Sequence, residues 1–167
     1  MHDELTAVDI EKMRKELAYR ETELMPRILE DVKTARAFGD LSENFEYKAA
    51  KDEQRRNASR IRYLKQMIAS AVVIEDTSGD GTVGLFDTVE LFMEDENEEM
   101  TVRFVTTLRQ NALEGLISKE SPLGQAVLGR SVGERVFVRV SGDAGYWVQI
   151  RSVSKGEDDD SLDISAY

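Results

Sequence analysis

Cysteine is absent from the 167 residues, which excludes disulfides, thiolate metal sites and thiol nucleophiles and agrees with a reducing cytoplasm. Histidine occurs once, as His2 beside the chain start, so zinc sites and histidine-based catalysis are not expected. No apolar run approaches the length that crosses a bilayer. The opening Met1-His2-Asp3-Glu4 is acidic where a signal peptide would be basic. From these absences a cytoplasmic chain with no membrane contact is expected; a monomer is expected as well.

Charge is abundant: 33% of residues are Asp, Glu, Lys or Arg, and the net charge is −11. A sum of that sign argues against the whole chain clasping a nucleic acid. Its distribution is uneven. Residues 1–75 carry 14 Lys+Arg against 15 Asp+Glu, whereas residues 76–167 carry 8 against 18. Two electrostatically different halves suggest two domains.

The first half is patterned as helix. Thr6 with Asp9 makes a capping start. Ile10, Met13, Leu17, Leu24, Ile28, Val32 and Ala35 then recur at helical spacing, and Pro26 predicts a kink or break among them. A second helical run from about Ser42 to Val73 carries a heptad seam through Ala50, Gln54, Asn57, Ile61, Leu64, Ile68 and Ala71. The link Phe38-Gly39-Asp40-Leu41 is short, with Gly39 suited to a left-handed C-cap, so the two helices must be antiparallel. Residues 1–76 therefore read as a coiled-coil arm whose acidic tip spans residues 39–47.

After a turn-rich linker at 77–82 the period changes to two. Leu85, Asp87, Val89, Leu91 and Met93 alternate, then Val102 and Phe104, Val136, Val138 and Val140, and Tyr146, Val148 and Ile150. One helix is signalled between Ser121 and Leu128, with Ser121 at the N-cap, Pro122 at the first helical position and Gly129 past the end. Residues 83–155 read as a small antiparallel sheet with one helix. Residues 156–167, with Glu157-Asp158-Asp159-Asp160, read as a solvated, flexible acidic tail. The fold class is α+β.

The tip places Asp40, Glu43 and Glu46 within seven residues. Asp40 with Glu43 fits a capping box, and acids suit the first turn of a helix. The same pair also offers hard oxygen ligands of the type Mg²⁺ takes, too few for a self-contained site but enough to complete a shared one. Both readings stay open on spacing alone.

Residues 35–51, Ala-Arg-Ala-Phe-Gly-Asp-Leu-Ser-Glu-Asn-Phe-Glu-Tyr-Lys-Ala-Ala-Lys, closely resemble the tip signature of the Gre family of transcript cleavage factors, its GreA branch in particular. Residues 117–129, Ile-Ser-Lys-Glu-Ser-Pro-Leu-Gly-Gln-Ala-Val-Leu-Gly, resemble the helix motif of that family's C-terminal, FKBP-like domain. The resemblance implies a transcription elongation factor that enters the secondary channel of bacterial RNA polymerase when the enzyme has backtracked. It is not an enzyme by itself and binds no cofactor alone. Asp40 and Glu43 would hold a Mg²⁺ shared with the polymerase active site, which then cleaves the nascent RNA and frees its 3′ end. A family relative that binds the same channel but regulates without cleavage is the alternative.

Ser42 and Asn44 would support the tip by hydrogen bonding, and Tyr47 would either stack there or pack the hairpin end. The family often has alanine where this chain has Phe45, a departure that bears on fit inside the channel. Between Lys48 and Lys65 lie seven basic residues and two acids. A charge run is ordinarily a solvated helix face. The resemblance makes Lys48, Lys51, Arg55, Arg62 and Lys65 an RNA- or polymerase-facing stripe, whose phosphate contacts position without specifying sequence. Glu120, Ser121 and Pro122 fall where the family docks on the polymerase rim, although Ser121 and Pro122 are already explained as a helix start. Prolyl isomerase activity is not expected, because fold does not carry function and the single Trp147 offers little aromatic lining.

Overall fold

The computed structural model describes residues 2–39 and 44–166. Two compact units form, one centred on Ile10–Ala71 and the other joining Asp3–Asp9 to Val72–Tyr167.

Helix α1 (Ala7–Tyr19) starts where the Thr-x-x-Asp spacing predicts. The Thr6 N–H donates to Asp9 Oδ2 at 3.0 Å and the Asp9 N–H donates to Thr6 Oγ1 at 3.4 Å, a reciprocal cap. Pro26 leaves its mark one turn early. Residues Arg20–Leu24 form a π-helical turn, in which the Met25 N–H reaches back to the Arg20 carbonyl, and helix α2 (Met25–Arg36) follows with the proline in its first turn. In an unbroken α-helix the proline ring would crowd the carbonyl of residue 22; the wider turn relieves that clash without ending the helix. The expected break is therefore a local change of pitch.

Helix α3 (Phe45–Ser70) runs for 26 residues, about 39 Å. It is shorter than the periodicity suggested, because Ala71 is already extended and Val72–Val73 join a strand pair. Cross-helix contacts pair Arg36 with Tyr47, Arg20 with Asn57 and Glu16 with Arg60, an order that only an antiparallel arrangement permits. Ile28, Val32 and Ala50 form one buried group with Leu24 and Tyr47 at its edge. Met13, Ile61 and Leu64 are buried as well, so the heptad seam is the buried face.

A polar layer interrupts this seam. The Arg60 side chain is only 4% exposed and grips Glu16 with two bonds, Nε to Oε2 at 2.7 Å and Nη2 to Oε1 at 3.0 Å. Arg20 donates to the same carboxylate at 2.7 Å and to Asn57 Oδ1 at 3.0 Å. Burial pushes the Glu16 carboxyl up, but the hydrogen bonds and charge of Arg60 and Arg20 outweigh it and hold its pKa below the ordinary value. A depressed carboxyl contributes stability that is present above the ordinary glutamate pKa and lost as pH falls through the lower folded value. Urea unfolding of the wild type between pH 5 and pH 3 should show this loss, and Glu16→Gln should flatten it while lowering stability at pH 7.

In the second unit a short parallel pair joins β1 (Glu4–Leu5) to β2 (Val72–Val73). A five-stranded sheet follows, in the order β5-β4-β3-β7-β6, from β3 (Thr88–Met93), β4 (Glu98–Val105), β5 (Leu116–Ser118), β6 (Arg135–Ser141) and β7 (Ala144–Ser154). Helix α4 (Pro122–Val127) supplies Leu123 and Val127 to a core of Val89, Leu91, Val102, Phe104, Val136, Val138, Val148 and Ile150. Most of the alternating residues of the sequence are this inward face; Met93 and Tyr146 are partly buried at its edge, and Val140, at the end of β6, is exposed. The sheet is mixed rather than wholly antiparallel, because β5 adds to the edge parallel to β4.

Leu85 and Asp87, expected as the start of a strand, belong instead to an irregular turn. Phe86 there has a positive φ of 67°, unusual for a bulky residue. Its N–H donates to the Phe104 carbonyl at 2.7 Å, its carbonyl accepts from Arg103 Nε at 2.7 Å, and Arg109 lies 4.5 Å from its ring centroid. The buried Asp87 carboxylate accepts from the Gly84 N–H at 2.8 Å and the Gly156 N–H at 2.9 Å, and pairs with Lys155. Gly156 is needed there, since a Cβ would lie 1.9 Å from the Phe86 carbonyl oxygen. The acidic residues that follow, expected as a solvated and flexible tail, are also held. Arg103 donates to the Glu157 carbonyl at 3.1 Å, and Arg109 bonds the Asp158 carboxylate and, at 3.1 Å, the Asp159 carbonyl. Two arginines drawn from the sheet region give these acids a partner that local composition could not reveal.

Candidate functional site

The end of the helical hairpin is built by few residues. Gly39 follows α2 with a φ of 112°, a backbone that favours glycine. Asn44 is the N-cap of α3: its Oδ1 accepts from the Tyr47 N–H at 3.0 Å. Its Nδ2 reaches the other helix and donates to the Ala35 carbonyl at 2.7 Å, satisfying an acceptor at the end of α2. One side chain thus ties both sides of the turn. Removing it in Asn44→Ala should cost about 1–2 kcal/mol of hairpin stability. Chemical unfolding followed by helical circular dichroism measures this, and a change below about 0.3 kcal/mol would contradict it.

Asp40, Ser42 and Glu43, expected at the chemical end of the tip, lie outside the described residues. The N-cap of α3 is Asn44. Tyr47 is half-buried against Ile28, Val32 and Ala50, with the Arg36 guanidinium 5.7 Å from its ring centroid. The hydrogen bond and charge of Arg36 at the hydroxyl oxygen draw the phenol pKa below its ordinary value. Tyr47 is thus packed on the hairpin end.

The basic residues do not form one uniform stripe. Lys48, Lys51 and Arg55 line a single shallow concavity of about 370 Å³ with Tyr47 and Asp52. Within it Lys51 donates to Gln54 Oε1 at 3.0 Å and Arg55 pairs with Asp52. Arg62 is exposed, and Lys65, about 26 Å along the axis from Lys48, pairs with Glu21 at 2.9 Å. Arg60, counted among the basic run, is not a surface residue at all, being the buried partner of Glu16. The opposite flank of the hairpin end differs in charge: Asp31, Glu46 and Glu53 line a second groove with Arg56.

In the second unit, Ser121 caps α4 through its Oγ, which accepts from the Gly124 N–H at 3.0 Å and donates to the Ser118 carbonyl at 2.7 Å. Pro122 and Glu120 are exposed beside it, and Glu120 pairs with Lys119 at 2.9 Å. The three residues therefore share one edge of the globule, with the serine committed to the helix start.

Two clusters escaped sequence reasoning, the partly buried Glu16–Arg20–Asn57–Arg60 layer and the buried arginine at position 109. Arg109 is fully buried and donates to Asp9 Oδ1 at 2.6 Å and to Thr6 Oγ1 at 3.1 Å, besides its bonds to the acidic C-terminal residues. Gln54 and Asn57, the polar members of the seam, are the available hint of the first; nothing local marks the second. Among the described residues, no group of three or more His, Asp or Glu side chains is placed to hold a metal ion.

Comparison with known proteins covers nearly the whole chain. Residues 4–73 match the family model described as transcription elongation factor, N-terminal, and residues 76–157 match transcription elongation factor, GreA/GreB, C-terminal. The chain is 44% identical over 147 residues to transcription elongation factor GreA of Chelativorans sp. (strain BNC1), spanning 86% of this chain and 93% of that one. It is 38% identical over 138 residues to transcription elongation factor GreA of Bacillus subtilis (strain 168), covering 83% and 88%. Among solved structures, GreA factor homolog 1 of Thermus thermophilus aligns at 25% identity over 93% of this chain and 100% of that one, with a TM-score of 0.43.

Proposed function

The chain belongs to the GreA/GreB family of transcription elongation factors, and from that premise we propose that it stimulates cleavage of backtracked nascent RNA inside bacterial RNA polymerase. In this reading the hairpin enters the polymerase's secondary channel tip first. It acts in the cytoplasm as an accessory factor, and the polymerase performs the bond breaking. The observation that carries the reading is the division of labour at the tip. Asn44 caps α3 and braces α2, so Asp40 and Glu43 are not needed for that cap and are available for chemistry.

Two carboxylates fit Mg²⁺ as hard oxygen donors, and as a pair they suit a site completed by another protein's ligands. Bound there, the ion would supply an activated water for attack on a phosphodiester. Asn44 would position the tip, and Ser42 would orient neighbouring groups by hydrogen bonding. Tyr47 would hold the hairpin end rigid. Lys48, Lys51 and Arg55 would meet the extruded RNA through its phosphates, with Arg62 and Lys65 farther along the same helix; such contacts fix position and weaken with salt. Glu120, Ser121 and Pro122 would dock on the channel rim.

The test is transcript shortening in a stalled, backtracked elongation complex supplied with Mg²⁺. Shortening of the RNA on addition of the wild-type chain is expected. Demonstrable polymerase binding without shortening would instead identify a regulator that occupies the same channel.

A further inference from the structure

Phe45 is the first residue of α3, and its position is unusual for a large apolar side chain. It is 81% exposed and takes no part in the buried group of Ile28, Val32, Ala50 and Tyr47. The helix start does not need it, because the cap is made by Asn44 with the Tyr47 N–H. Tyr47, two residues on, turns inward; Phe45 turns out. Among the described residues, its ring meets a cation, the Lys48 ammonium, 5.8 Å from the centroid. That same lysine is the first member of the basic concavity lined by Tyr47, Lys48, Lys51, Asp52 and Arg55. An exposed aromatic face continuous with a row of cations is the arrangement that single-stranded nucleic acids use, with bases on the rings and phosphates on the cations.

We propose that the Phe45 ring is a stacking platform for the terminal base of the extruded RNA, with Lys48 placed to reach the adjoining phosphate. This rests on the reading that the hairpin tip meets backtracked RNA, and it adds a positioning residue to that site. Stacking is sequence-tolerant, since every base has a π-face, but purines offer more overlap than pyrimidines. The ring would therefore make the factor sensitive to what occupies the transcript's 3′ terminus.

Two readouts test this on the full-length chain with backtracked polymerase complexes. In the first, 2-aminopurine is placed at the RNA 3′ end, and Asp40→Asn is used throughout so that the RNA stays intact. Adding this variant should quench the fluorescence. Adding Asp40→Asn/Phe45→Ala should quench it at least about fivefold less, and Asp40→Asn/Phe45→Trp should restore the effect. In the second, cleavage by Phe45→Ala should be about tenfold slower than wild type on a purine-ended transcript and within about twofold on one with an abasic 3′ terminus. Equal loss on both transcripts would place the ring against the protein wall of the channel and overturn the inference, as would quenching that persists without the ring. Unchanged helicity of Phe45→Ala would show that the fold is intact. Quenching by a wild-type chain that shortens no RNA would leave the platform standing and remove the cleavage function. No binding to the complex would remove both.

Discussion

Asp40→Asn is expected to abolish transcript shortening in a backtracked complex while leaving binding to polymerase within about twofold of wild type. The substitution keeps size and hydrogen-bonding capacity and removes only the charge that a divalent ion requires. Loss of a ligand that stabilises developing charge costs several kcal/mol in the transition state, so a fall of at least about a hundredfold in cleavage rate follows. Glu43→Gln should behave the same way. The competing explanation, that Asp40 serves as a helix cap, makes the opposite prediction, since asparagine caps about as well as aspartate. The cap of α3 is Asn44, so neither substitution should move the thermal midpoint. Cleavage that survives both changes would end the carboxylate-donation reading.

Arg109→Met should destabilise the second unit by about 3–5 kcal/mol, the usual consequence of removing one partner from a buried ion pair. The side chains of Arg109 and Asp9 are both fully buried, so the variant would strand a carboxylate that also serves the Thr6 cap. The C-terminal acids Asp158 and Asp159 would lose their anchor in the same step. For a unit of this size the thermal midpoint should fall by more than about 10 °C. Adding Asp9→Leu should recover part of the loss, because the stranded charge is then gone. A single variant that melts within about 2 °C of wild type would show that the cluster is better solvated than its burial implies.

Local signals were read well where they were self-contained. Ser121, Pro122 and Gly129 mark α4 within a few residues, Thr6 and Asp9 mark the start of α1, and most of the period-two residues mark the buried face of the sheet. The seam of α3 was legible because its spacing repeats over several turns. Less legible were features decided by distant partners. Asp40, Ser42 and Asn44 are all good capping residues, and the choice of Asn44 for α3 is reinforced by a bond to Ala35 on the preceding helix. The acidic residues at 157–159 look solvated until Arg103 and Arg109, about fifty positions away, are brought beside them. Strand β5 is three residues long, too short for any periodicity. The chemistry proposed for the tip rests on motif resemblance, since two carboxylates three residues apart have an ordinary structural use.

The buried Glu16–Arg60 contact has a consequence of another kind. Heptad seams are nearly degenerate under translation: sliding one helix by seven residues restores the same apolar facing while shifting it by about 10 Å. Metal chemistry tolerates tenths of an ångström. On the proposed function, a hairpin that delivers carboxylates to a fixed point needs a length standard, and apolar packing alone does not supply one. The charged layer adds a registered contact, because a slip has to break both Arg60 bonds to Glu16 and the Arg20 bond to Asn57. Besides its contribution to stability, the layer gives the register of the arm a polar reference point.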